Sequence, residues 1–159
     1  MTGIAEYKQS VPEDIEQTLL ISWAKYASAK YPELDMLIHI PNGGLRAAST
    51  GAALKRQGVR PGYPDLALNT AHCGYHGLFI ELKRIGGRAS DLQIDWLERL
   101  ERAGNAVAVC WGMEPAQALL EAYLGDNAED VKSRVLSSER GDFAALRQRK
   151  GRQKNADRD

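Results

Sequence analysis

The chain has 159 residues, and its 21 basic side chains balance 21 acidic ones, so the formal net charge is zero. Hydrophobic residues make up 43% and charged residues 26%, which excludes a wholly disordered chain and suits one soluble domain. The longest apolar runs, such as Ala106–Trp111, fall far short of the ~20 residues that cross a bilayer. The start, MTGIAEYKQSVPEDIEQ, is polar and has no signal-peptide core, and Cys73 and Cys110 stand far apart. The expectation is a cytoplasmic protein with neither a membrane span nor a disulfide framework.

Ser10 or Pro12 opens a first helix, and Glu13 and Asp14 suit its positive end. Ile15, Leu19, Trp23 and Tyr26 follow at helical spacing to about Lys30, and Pro32 ends the run. Met36–Ile40 is a short strand, and Asn42-Gly43-Gly44 a turn. Leu45–Gln57 is Ala-rich and helical, stopped by Gly58. Gly62-Tyr63-Pro64 leads into a strand over Asp65–Asn69. After a polar loop, Gly77–Lys83 returns as its hairpin partner. Ser90 starts a helix to about Ala103, with Gln93 placed for a capping box. Ala106–Trp111 is a buried strand, followed by helices over Pro115–Leu124 and around Ala128–Leu136. Residues 1–136 form the domain on this reading, and residues 137–159 a polar, basic, mobile tail. The order implies an α/β fold with a mixed sheet flanked by helices.

Charge is unevenly spread. Met36 to Pro64 holds no acid but carries Arg46, Lys55, Arg56 and Arg60. Arg147–Lys154 has five basic residues in eight. A charge run is commonly just a solvated face. Two basic segments around inward-facing carboxylates suit an anionic ligand better.

Those carboxylates occupy positions meant for apolar side chains. With Ile15 at zero on a helical wheel, Glu16 falls near ~100°, inside the apolar stripe. It is either a stripe-edge or salt-bridged residue, or one with a functional partner. On the second hairpin strand, Phe79, Glu81 and Lys83 share one face, and Ile80 and Leu82 the other. Hairpin pairing can bring Asp65 beside Glu81. Glu-x-Lys alone carries little information. A helical Glu, then Pro64-Asp65, then Glu81-x-Lys83 sixteen residues on, is the constellation of a divalent-metal hydrolase. Lys83 then orients the attacking water or stabilises developing charge, rather than acting as a base. Gln93 fits capping and a place near the metal equally well.

Asn42-Gly43-Gly44, Lys55, Gly58-Val59-Arg60, Gly62-Tyr63-Pro64-Asp65-Leu66, Phe79-Ile80-Glu81-Leu82-Lys83 and Gln93-x-x-Trp96-Leu97 together resemble the VRR-NUC domain of the PD-(D/E)XK nuclease superfamily. The resemblance spans roughly Glu16 to Trp111. It implies a restriction-endonuclease-like αβββαβ core. It implies that Asp65 and Glu81 bind Mg²⁺, or Mn²⁺ in its place, with the Leu82 backbone carbonyl beside them and Glu16 completing the set. Lys83 is the implied catalytic lysine, and Gln93 supports the metal-water shell. The Val-Arg-Arg that names the family reads Val59-Arg60-Pro61 here, which puts one phosphate contact in doubt. The small stand-alone members imply a homodimer that cuts branched DNA, including four-way (Holliday) junctions.

Asn42, Gly43, Gly44, Arg46, Lys55, Arg56, Arg60, Arg84 and Arg88 are the candidate DNA contacts, although Asn-Gly-Gly is as readily a plain turn. Nothing resembles a base-reading motif, and no Walker sequence for ATP exists. His72-Cys73-x-x-His76 lacks the complement that a closed zinc site needs. His39 reads as a satisfied sheet histidine. The rival readings are a noncatalytic DNA-binding module and a restriction-type nuclease acting on linear duplex.

Overall fold

A computed structural model describes residues 11–42 and 48–154. Helix α1 spans Glu13–Ala27, with Glu13, Asp14 and Glu16 in its first turn and Lys25 in its last, as the helix dipole favours. A 3₁₀ turn, Pro32–Met36, leads to β1 (Leu37–His39). Then come α2 (Ala48–Arg56), β2 (Leu66–Leu68), β3 (Leu78–Lys83), α3 (Asp91–Arg102), β4 (Ala106–Trp111), α4 (Met113–Leu124), α5 (Ala128–Arg134) and α6 (Asp142–Lys154). Among the described residues, no helix is long and apolar enough to cross a membrane.

The four strands form one mixed sheet in the order β1-β2-β3-β4. The first two pairings are antiparallel and β3–β4 is parallel. Both faces are covered. Leu66, Leu68, Ile80, Leu82, Ala108 and Cys110 meet Leu20 and Ala24 of α1 and Leu119, Leu120 and Tyr123 of α4. On the other face, Ala67, Phe79, Val107 and Val109 meet Ile94 and Leu97 of α3 and Phe143 of α6. This is the α/β sheet flanked by helices that the sequence implies.

Two expectations need correction. The buried line of α1 is Leu20 and Ala24, whereas Ile15, Leu19 and Tyr26 stand 47%, 49% and 85% exposed. The inward sector is centred near ~140° on the same wheel, so it includes Glu13 at ~160° as well as Glu16. The segment expected as a mobile tail is helical from Asp142 to Lys154. Phe143 is buried there, and Arg147 pairs with Asp95 at 2.7 Å and Glu98 at 2.8 Å on α3. One aromatic anchor and a two-carboxylate clamp hold a stretch whose composition is otherwise polar.

Candidate active site

The β2–β3 register sets the geometry. Leu66 faces Ile80 and Ala67 faces Phe79, so continuing the count puts Asp65 opposite Glu81. Asp65 lies immediately before the start of β2, after the buried Pro64. Its Oδ2 accepts the Leu82 N–H at 2.9 Å, a donor that the sheet ladder would otherwise use. The Asp65 carbonyl accepts the Ile40 N–H at 2.7 Å and lies 3.0 Å from His39 Nδ1. The strands therefore part at the point where two carboxyls meet. The exposed His39 ring belongs to the support of Asp65, which strand alternation alone did not reveal.

Glu81 is fully buried on the α3 side of the sheet. Its Oε1 accepts from Lys83 Nζ at 2.6 Å and from the Gln93 amide. Its Oε2 is buried with no hydrogen-bond partner among the described residues. Burial, and then the neighbouring Asp65 charge, push the Glu81 carboxyl up to about 8 against the pull of Lys83. Asp65 is also raised, by burial first, although the Leu82 amide and Lys83 oppose it. Burial acts to lower the Lys83 ammonium, but Glu81, Glu13 and Asp65 outweigh it and raise the group above its ordinary value. Lys83 is thus a fixed cation rather than a ready base.

Gln93 fills both roles weighed for it. Its backbone N–H donates to Ser90 Oγ at 3.2 Å, and its Oε1 accepts the Ser90 N–H at 2.7 Å. This capping box aims the remaining amide donors at Glu81.

Glu16 does not join Asp65 and Glu81 in an ion cage among the described residues. Its Oε2 accepts the Met113 N–H at 2.8 Å, at the start of α4. The preceding Gly112 has φ +88, and a Cβ there would lie 3.7 Å from the Glu16 carboxylate. A buried helix start needs an acceptor, and α1 supplies one with Glu16. Glu13, one turn earlier, is the α1 acid that reaches β3. It lies 3.4 Å from Lys83 Nζ and accepts the Arg84 N–H at 3.4 Å. The inward sector that holds Leu20 and Ala24 also contains Glu13, which the apolar but exposed stripe of Ile15, Leu19 and Tyr26 masked in the sequence.

The other candidates are dispersed. Asn42 Nδ2 donates to the Tyr63 carbonyl at 3.0 Å, fixing the segment before Pro64. Gly43, Gly44 and Arg46 lie outside the described residues. Lys55 and Arg56 close α2, and with Arg60, Arg84 and Arg88 they are exposed. His72 Nδ1 is 2.9 Å from Asp126, and the Cys73 thiol points to the Tyr123 carbonyl at 3.6 Å.

No three His, Cys, Asp or Glu side chains converge as an ion cage among the described residues. The donor set is the Asp65–Glu81 pair. A buried carboxylate oxygen without a donor, beside a second carboxyl, fits a cation.

A model of the VRR-NUC domain matches residues 7–114. The chain belongs to the VRR-NUC family. A solved structure titled "VRR_NUC domain protein" is similar to it at 31% identity and TM-score 0.65, covering 74% of this chain and 91% of that one. No curated protein matches the sequence. VRR-NUC is a nuclease-type domain, which implies DNA as the partner of this VRR-NUC chain.

Proposed function

We propose that this VRR-NUC protein is a metal-dependent, structure-selective DNA endonuclease. It hydrolyses phosphodiesters in branched DNA, four-way junctions among its substrates, and works as a homodimer. The observation that carries the reading is the Oε2 of fully buried Glu81, which no donor among the described residues reaches, beside Asp65, with Lys83 and Gln93 fixed on the other oxygen.

Mg²⁺, or Mn²⁺ in its place, suits this donor set, because a hard cation that keeps several waters needs only one or two carboxylates. Asp65, Glu81 and the Leu82 carbonyl would hold it, and the chemistry it would supply there is polarisation of a phosphoryl oxygen and a lowered pKa for a water. The chain supplies the rest. Lys83, held as an ammonium by the surrounding acids, stabilises negative charge that develops on the phosphate and orients the attacking water. Glu13 keeps Lys83 in place from α1. Gln93 fixes the Glu81 rotamer. Arg84 and Arg88, just past β3, and Lys55, Arg56 and Arg60, before β2, offset the acids along a DNA backbone.

Two equivalent scissile phosphates in a symmetric junction suit two sites related by a two-fold axis. The outward stripe of α1, Ile15, Leu19 and Tyr26, offers a second copy an apolar face. An antiparallel α1 partner would set the acidic first turn against Lys25 in the last.

The test is cleavage of matched linear duplex, flap and four-way junction DNA with Mg²⁺ or Mn²⁺, alongside mass by light scattering. Junction cutting by a dimer is expected. Inactivity with both ions supports a binding module, and preference for linear duplex supports a restriction-type enzyme.

A further inference from the structure

Trp111 ends β4 directly opposite Lys83 in the parallel β3–β4 register, so the indole leaves the sheet beside the candidate site. Its ring N–H donates to the Gly87 carbonyl at 2.7 Å, which pins one edge to the turn after β3. That turn closes through the Gly87 N–H on the Arg84 carbonyl at 2.8 Å. From the other side, α6 brings the Arg149 guanidinium 5.7 Å over the ring. Between turn and helix lies a cleft of about 420 Å³, lined by Gly86, Arg88, Trp111, Leu146 and Arg149 among others. Among the described residues, none that lines it is acidic.

An edge-anchored indole with the exposed Arg149 guanidinium over its face suits a ligand that is flat, aromatic and anionic together. A nucleotide has that chemistry. An acidic peptide would leave the indole face unused, and a neutral metabolite would leave Arg149 unused. Neighbouring β3 ends in Lys83, so a DNA strand meeting Asp65 and Glu81 runs past this cleft.

We propose that the Trp111–Arg149 cleft holds one unpaired nucleotide of the substrate strand next to the scissile phosphate. The base stacks on the indole, and Arg149 turns from the ring to the phosphate. The proposal rests on the nuclease reading of the adjacent carboxylates. A base within a duplex reaches such a cleft only by leaving its stack, whereas an unpaired base at a branch point is already free. The cleft therefore favours branched DNA over matched duplex.

The test is a titration of the full chain, without divalent ion, into a DNA tetranucleotide carrying 2-aminopurine. Stacking on Trp111 is expected to quench the probe. Trp111→Leu is expected to abolish the quench, and Arg149→Ala to weaken binding roughly ten-fold, about the loss of one contact of this kind. Arg149 is exposed, so that variant tests the cleft even if Trp111→Leu fails to fold. Matched duplex and tripolyphosphate are expected to compete poorly. Unchanged binding and quenching in folded Arg149→Ala overturns the proposal. So does equal competition by duplex or by tripolyphosphate, which would mean a backbone or phosphate site alone. Cleavage of junction DNA with Mg²⁺ is scored separately. Cutting with no Arg149 effect sinks the cleft and spares the nuclease, and quenching without cutting does the reverse.

Discussion

Gln93 holds Glu81 with the same side chain that caps α3. One amide oxygen closes the capping box on the Ser90 N–H, and the amide nitrogen donates to Glu81 Oε1. Helix start and carboxylate rotamer are thereby one unit. Ser90→Ala should remove the cap alone and cost about 0.5–2 kcal/mol in denaturant unfolding. Gln93→Ala should show a loss in stability together with a fall in cleavage rate. If Gln93→Ala cut DNA at the wild-type rate, its contact with Glu81 would have no catalytic bearing.

Removing the acids or the lysine should stop the chemistry and leave the fold. Asp65→Asn, Glu81→Gln and Lys83→Met are each expected to lower single-turnover cleavage by at least about 100-fold. DNA affinity, read by gel shift without divalent ion, should stay within a few fold. Wild-type cutting by Glu81→Gln would refute the assignment.

The two acids of α1 should separate cleanly. Glu13→Ala is expected to slow cleavage, because Lys83 loses a partner. Glu16→Ala is expected to lower stability by about 0.5–2 kcal/mol, because α4 loses the acceptor on its Met113 N–H. Measuring thermal melting and cleavage rate on both variants checks this. The opposite pattern would return Glu16 to the metal set.

Most of the frame was legible in the sequence because it rests on local rules. Ala106–Trp111 reads as a strand from its unbroken apolar run, and Ser90-x-x-Gln93 reads as a capping box from spacing alone. The alternation of Glu81 and Lys83 against Ile80 and Leu82 gives the site its strand face. What was not legible depends on tertiary contact. The exposed side of α1 carries Ile15, Leu19 and Tyr26, so hydrophobicity pointed the wheel the wrong way and hid Glu13. Helix α6 is polar along most of its length, and the burial of Phe143, the packing of Leu146 on the core and the pairing of Arg147 with α3 explain its order. The role of Glu16 required α4 to start beside it, which no spacing within α1 encodes.

Burial of Glu81 makes the ion-free protein sensitive to pH. Its carboxyl rises from an ordinary value of 4.5 to about 8 in the fold, through burial first and the Asp65 charge second. Between those values the folded chain holds a proton that the unfolded chain has released. Stability without divalent ion should therefore fall as pH rises from about 4.5 to about 8, and then level off. The melting temperature of the wild type should follow that of Glu81→Gln near pH 4.5 and fall progressively below it towards pH 8. Adding Mg²⁺ at pH 8 should raise the wild type and not the variant. Parallel curves would mean that Glu81 does not titrate in this window.

Helix α6 should contribute to the fold rather than trail from it. Phe143→Ala is expected to cost about 3–5 kcal/mol by urea unfolding, as for other buried aromatics. A loss below ~1 kcal/mol would restore the mobile tail.

The central claim is that Asp65 and Glu81 together hold a divalent cation. Anomalous diffraction from crystals soaked in Mn²⁺ measures this directly. A manganese peak between the two carboxyls, absent from Glu81→Gln crystals grown alike, is the expected result. Density showing the carboxyls turned apart with no peak between them, in protein that cuts DNA in the same Mn²⁺ buffer, would contradict the account.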